Sequence, residues 1–154
     1  MRYIWQQYLL SVSLIQMIQR IARVFVLGVG AVAVSGCLLM AGQQQSSDFQ
    51  EGAGNLSVAF VSAEGSQRRT IATEAPAPGE LNVIVLMSVD RGDLRLDLLE
   101  PDGSVAFSIE GSPEGQRSRS GTVSTDDQGR LHYRVVARNA RNGSFQILYQ
   151  RLSS

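Results

Sequence analysis

The chain has 154 residues, and its fourteen basic side chains, all Arg, balance fourteen Asp and Glu for a formal net charge of zero. Arg2, Arg20 and Arg23 precede the only cysteine, Cys37, whereas every acid follows it, so a product starting at Cys37 carries eleven Arg against fourteen acids, a charge of −3. That balance excludes nucleic acid as a partner, which demands a concentrated basic footprint, and one Cys with one His excludes a zinc centre.

From the N-terminus, Arg20 and Arg23 stand just before VFVLGVGAVAVSGCLLMA, residues 24–41, which contain no charge. A positive region, an apolar core and then small residues are the layout of an exported segment. Ala31-Val32-Ala33 offers an ordinary secretory cleavage site, and the apolar run is barely long enough for an uncleaved anchor helix, which needs about 20 residues. Val34-Ser35-Gly36-Cys37 resembles the lipobox of bacterial lipoproteins: an aliphatic residue, two small residues and Cys. A cysteine thiolate is a strong nucleophile that takes a diacylglyceryl group, and small residues before it let the backbone lie in a protease cleft. The resemblance implies cleavage by signal peptidase II between Gly36 and Cys37, with a covalent lipid on Cys37 as the only cofactor-like group. It also accounts for an odd cysteine in an exported chain.

Residues 1–36 are thus expected to form a hydrophobic signal or anchor helix. Counted from Met1 the stretch before the apolar core is long. Starting at Met17, MIQRIARVFVLGVGAVAVSGC has compact signal spacing, so Met17 is the expected translation start. The competing reading of this N-terminal stretch is an amphipathic surface helix bearing Ile4, Leu10, Leu14 and Ile18.

Residues 37–54, rich in Gly, Gln and Ser, show no apolar period and are expected to be a flexible tether with ends roughly 20–25 Å apart. Residues 55–154 then match one small domain. Their pattern has period two: Leu56, Val58 and Phe60; Leu81, Val83, Val85 and Met87; Leu94, Leu96 and Leu98; Val105, Phe107 and Ile109; Leu131, Tyr133 and Val135; Phe145, Ile147 and Tyr149. Weaker strands fall at 69–74 and 117–124, and Ala75-Pro76-Ala77-Pro78-Gly79 reads as a connection between sheets. Short alternating runs bounded by turn residues predict an all-β fold, an antiparallel, jelly-roll-like β-sandwich of about seven or eight strands. Glu100-Pro101-Asp102-Gly103 and Asp126-Asp127-Gln128-Gly129 are expected to close hairpins. Asp90-Arg91-Gly92-Asp93 reads as another strand connection.

DLRLDLLEPDGSVAFSIEG and, further on, LHYRVVARNARNGSFQILYQ resemble the bacterial pre-peptidase C-terminal domains and related jelly-roll accessory domains. Their pattern is a strand, a Pro-Asp-Gly turn, a second strand and a late strand pair ending in Gly-x-Phe-x-Ile. The likeness spans residues 81–150. It implies a β-sandwich that accompanies secreted enzymes as a binding or stability module, in some cases with calcium.

Candidate site residues are few. His132 falls on a polar strand face, and without a nucleophile elbow such as G-x-S-x-G it reads as a surface residue and not a catalytic one. Asp90 with Asp93, and Asp126 with Asp127, place carboxylates at turns, where Asp is a turn former first and a calcium ligand second. Arg91-Gly92-Asp93 spells an adhesion tripeptide, a short match that plain turn chemistry also explains. Arg130, Arg134 and Arg138 share one strand face by their spacing, and are expected to present a basic stripe to an anionic ligand, joined by Arg117 and Arg119 if those strands pair. Together these readings predict a cell-envelope lipoprotein facing the extracytoplasmic side, its β-sandwich acting as a non-catalytic binding or structural module. Its expected partners are the membrane and envelope polysaccharide or protein. The alternatives are an envelope enzyme or its accessory subunit, and an uncleaved single-pass protein with an external β-domain.

Overall fold

The computed structural model describes residues 37–73 and 78–152, all within one compact unit that begins at Gly36. The signal segment with Val34, Ser35 and Gly36, and most of the Pro-rich connection, lie outside the described residues. Seven antiparallel strands are present: β1 (Leu39–Ala41), β2 (Gln44–Gln50), β3 (Ala53–Ala72), β4 (Glu80–Leu99), β5 (Val105–Glu110), β6 (Arg117–Ser124) and β7 (Arg130–Arg151). The expected all-β antiparallel fold is what forms, with its strands divided differently.

Three strands of 20, 20 and 22 residues replace six of the short runs expected from alternation. β7 lies between β3 and β4 along their whole lengths, and all three fold over together. Tyr133 and Phe145 on β7 show this directly: twelve residues of straight strand span about 40 Å, yet their rings meet edge to face at 6.3 Å. The first layer contains β2, residues 53–60 of β3, 80–89 of β4, β6, and 143–151 of β7. The second contains β1, residues 62–72, 91–99 and 130–141 of the same strands, and β5.

The bends are built from bulges, each of which inserts a residue and slips the period-two phase. On β4 the buried apolar positions are odd from Leu81 to Val89 and even from Leu94 to Leu98, with the register shift at Arg91/Asp93. On β3 the step runs from Phe60 to Ala63, beside the shift at Ala63/Gly65. On β7 buried residues step by three, Ala137 to Ala140 to Gly143, and the two slips cancel. The cause is a tandem Ala-Arg-Asn repeat, 137–142, in which Asn139 and Asn142 adopt φ of 48° and 45°. Asn is the side-chain-bearing residue that enters this left-handed region at least cost. Because every slip re-aims the chain without turning its apolar face outward, one continuous core fills the fold.

Two expectations are corrected here. Residues 39–50 are not a free tether: β1 and β2 pair with β3 from Glu64 down to Ala53. Leu38 is buried in the core. Every β2 residue is exposed, so a strand with no buried face leaves no apolar period to detect. Asp90-Arg91-Gly92-Asp93 is not a connection between strands but the bulge within β4. Gly92 takes φ 78°, and a Cβ there would stand 2.2 Å from the carbonyl oxygen of Asn139, so glycine is required by the corner itself.

The turns form as their chemistry dictates. Gly103, at φ 85°, donates to the Glu100 carbonyl at 2.8 Å, closing the β4–β5 hairpin. Gly129 donates to the Asp126 carbonyl at 2.8 Å, but that turn is no hairpin. It carries the chain from β6 in the first layer to β7 in the second, where β7 pairs with β3 and β4.

Candidate functional site

Strand alternation sends Leu131, Tyr133, Val135 and Ala137 into the core and Arg130, His132, Arg134 and Arg138 to the outer face of the second layer. Of these, Arg130 and Arg134 are already matched by carboxylates, whereas Arg138 forms no ion pair among the described residues. Arg134 stands directly across β4 from Asp97, and Ser108 of β5 stands across from Asp97 on the other side. Arg134 donates from Nε and Nη2 to Asp97 Oδ2 at 2.8 and 2.6 Å, and Ser108 Oγ donates to Oδ1 at 2.6 Å. Arg95, two residues earlier on the same face, adds a 3.3 Å bond from Nη2 and an ion pair between Nε and Oδ1 at 3.0 Å.

Asp97 is thereby 1% exposed although it points away from the core. Burial pushes its carboxyl upward, but the Ser108 and Arg134 hydrogen bonds and the charges of Arg95 and Arg134 outweigh that and hold it below the ordinary 3.8. A buried carboxylate with two guanidinium partners fixes the strand register; it does not offer a vacancy to a ligand.

Arg130 is spent in the same way. Asp126 accepts the Gln128 and Arg130 amides on Oδ1, both at 2.9 Å, and Arg130 Nε on Oδ2 at 2.9 Å. His132 Nε2 lies 2.8 Å from the same Oδ2. Desolvation works against the Asp126 charge, but the Arg130 amide, His132, the Arg130 side chain and the Gln128 amide hold its carboxyl far below the usual range. An ionised carboxylate only accepts, so Nε2 carries the proton and His132 is an orienting donor. Asp126 is thus committed within its turn, and among the described residues no three Asp, Glu, His or Cys side chains converge as a metal centre requires.

Arg117 and Arg119 do not extend the stripe. β6 pairs with β4 in the first layer, where Arg119 donates to the Ser108 carbonyl at 2.7 Å and stands 5.9 Å over the Phe107 ring. Arg138 sits at the corner, opposite Asp93. The residue that sequence reading missed is Arg68, directly across β3 from Arg134. Its guanidinium reaches toward Gly103, over a groove of about 310 Å³ lined in part by Thr70, Leu99, Glu100 and His132. Among the described residues Arg68 forms no ion pair. Nothing in its local sequence marks it, because its neighbours across the sheet arrive from sixty and more residues away. Deeper in, burial raises the Tyr133 hydroxyl, and Arg69 opposes that through its charge and a hydrogen bond.

Cys37 is exposed with a free thiol. Its backbone runs beside Gly65, where a Cβ would come within 2.4 Å of the Cys37 carbonyl oxygen.

No family model matches the chain, and no curated protein does. Among solved structures it is similar to a carbohydrate-binding module from Cellvibrio mixtus lichenase 5A in complex with cellotriose, at 17% identity over 78% of this chain and 100% of that one, with a TM-score of 0.38. A xylan-binding domain of Paenibacillus barcinonensis Xyn10C aligns at 8% identity, 80% and 99% coverage and TM-score 0.39. A Bacillus endospore appendage protein, from disulfide-linked pili, aligns at 13% identity, 79% and 100% coverage and TM-score 0.42. At such scores no ligand or activity carries across.

Proposed function

We propose that this protein is a cell-envelope lipoprotein, cleaved between Gly36 and Cys37, whose β-sandwich is held outside the cytoplasm as a non-catalytic binding module. The observation that carries this reading is a coincidence of boundaries: the compact unit begins at Gly36, one residue before the cysteine of the lipobox-like Val34-Ser35-Gly36-Cys37. That cysteine leaves its thiol exposed, as acylation requires, and folding of the sandwich makes no use of it. A diacylglyceryl group anchors through its buried methylenes, each worth about 0.8 kcal/mol.

Metabolic labelling with an alkyne fatty acid tests the anchor. Label is expected on the wild-type chain and not on Cys37→Ser, which should accumulate as an uncleaved precursor. An unlabelled wild-type chain would remove the lipoprotein reading.

Between envelope polysaccharide and protein as ligand, the groove favours an acidic polysaccharide. Arg68 brings a guanidinium without an ion pair into a groove that Arg69 and the hydroxyl of Thr70 also line, with Glu100 as its one carboxylate, and guanidinium groups are suited to carboxylate or sulfate. Arg68→Ala should weaken retention on an acidic envelope polysaccharide, whereas Arg134 belongs to the Asp97 cluster and is not the variant to use. Unchanged retention would clear the groove of this role.

A further inference from the structure

The corner where the three long strands fold carries a second, different set of arginines. One cross-strand row runs Ala41, Ser62, Arg141, Arg91 over β1, β3, β7 and β4. It sets two exposed guanidinium-bearing residues directly opposite each other, an arrangement that is destabilising by itself. Arg138 is exposed three residues away. Among the described residues none of the three forms an ion pair.

The nearby acids are largely engaged: Asp90 accepts from Asn142 Nδ2 at 3.1 Å and Glu64 from the Asn139 amide at 2.6 Å. Asp93, opposite Arg138, and Glu110, which lines a recess with both, form no bond of their own among the described residues. Leu39 and Val61, 63% and 58% exposed, flank the same corner, and Arg141 lines one recess with Leu39 and another with Val61.

The position of Cys37 gives this surface its direction. Because β1 begins two residues after Cys37 and Leu38 is buried, no slack separates a lipid on that sulfur from the corner. A domain on a flexible tether would tumble; an anchor on that sulfur would hold this one by its edge. We infer that the corner of the sandwich is a membrane-docking surface, in which Arg91, Arg141 and Arg138 meet the phosphates of anionic lipid headgroups while Leu39 and Val61 enter the interface. The direction of docking rests on the lipoprotein reading, but the headgroup contacts do not. Arginine is suited to this because its planar fork binds phosphate bidentately and sheds water readily.

The full chain is reconstituted in vesicles of phosphatidylcholine alone or mixed with phosphatidylglycerol, and treated with the arginine reagent phenylglyoxal. Modification is mapped by mass spectrometry, with Arg117 and Arg119 on β6 as internal controls. Two arginines near an anionic leaflet shift docking by roughly thirtyfold at low salt. Arg91 and Arg141 should therefore react more slowly by about that factor in anionic than in neutral vesicles, with the controls unchanged. In an Arg91→Glu/Arg141→Glu variant, Arg138 should react equally fast in both. Equal rates at Arg91 and Arg141 in the two vesicles overturn the proposal. The same slowing by inorganic phosphate with neutral vesicles overturns it too, in favour of a free-anion site. The mass of Cys37 in the same sample reports its acyl group: an unmodified cysteine with lipid-dependent protection would remove the lipoprotein reading and leave the docking surface standing.

Discussion

Arginine is used in two opposite ways in this molecule. On the outer face of the second layer, Arg95 and Arg134 close around Asp97, and Arg130 closes on Asp126. At the corner, Arg91, Arg138 and Arg141 make no such pairs among the described residues. Cross-strand register accounts for the difference. Where strands run straight, register puts Ser108, Asp97 and Arg134 in one row that bonds together, and leaves Arg68 at the end of that row, opposite Arg134 and without an ion pair. Where bulges slip the register, Arg91 lands opposite Arg141, and charge matching gives way to backbone demands. Matched arginines build the fold; unmatched ones contribute no ion pair to it.

The contrast can be broken first at the corner's backbone. Gly92→Ala places a side chain at φ 78° and against the Asn139 carbonyl, and should cost about 3 kcal/mol or more, combining left-handed strain with a clash that backbone must absorb. A urea unfolding midpoint measures it. A loss below about 1 kcal/mol would mean the bulge can be re-formed without glycine.

Next is the matched cluster. Asp97→Asn strands Arg95 and Arg134, and removing one partner of a fully buried pair costs about 3–5 kcal/mol. Since those guanidinium side chains are 43% and 29% exposed and can rehydrate, about 2–3 kcal/mol is expected. A double-mutant cycle with Arg134→Ala should show a coupling above about 1 kcal/mol.

A smaller effect appears on acidification. Asp97 and Asp126 both have lowered carboxyls, so the unfolded chain takes up these protons first. The stability they contribute is complete above the ordinary value near 3.8, and is lost as pH falls from there through the folded-state values. Unfolding midpoints measured down that range should fall in the wild type, and fall less in Asp97→Asn. Parallel curves would take Asp97 out of the acid response.

The smallest change is expected from the unmatched side. Arg141→Ala should alter stability by less than about 0.5 kcal/mol, and toward stabilisation, because it relieves a like-charge pair across the strands. A clear loss of stability would show that the corner arginines belong to the fold after all.

Much of this contrast was out of reach of the sequence. Alternation located the apolar positions of all the long strands, since every one of Leu56, Val83, Leu96, Tyr133 and Ile147 is buried, and Glu100-Pro101-Asp102-Gly103 announced its hairpin through residues that preset their own φ. The same alternation could not say that the runs at 81–87 and 94–98 belong to one bent strand, because a bulge and a turn share Gly and Asp. The Ala-Arg-Asn repeat was the missed signal for the matching bend in β7. The spacing of Arg130 and Arg134 was legible, but their partners were not: Asp97 lies 37 residues from Arg134 in sequence.

The sequence by itself determined the class of fold, the turns at 100–103 and 126–129 and the motif around Cys37, because these depend on periods and neighbours within a few residues. Tertiary structure alone decided which arginines are spent and which are not, that residues 39–50 are strands, and that Cys37 starts at the corner. Each of those depends on cross-strand register, set by the whole apolar face finding one core. A strand such as β2, exposed on every side, acquires its place only from the strand it pairs with.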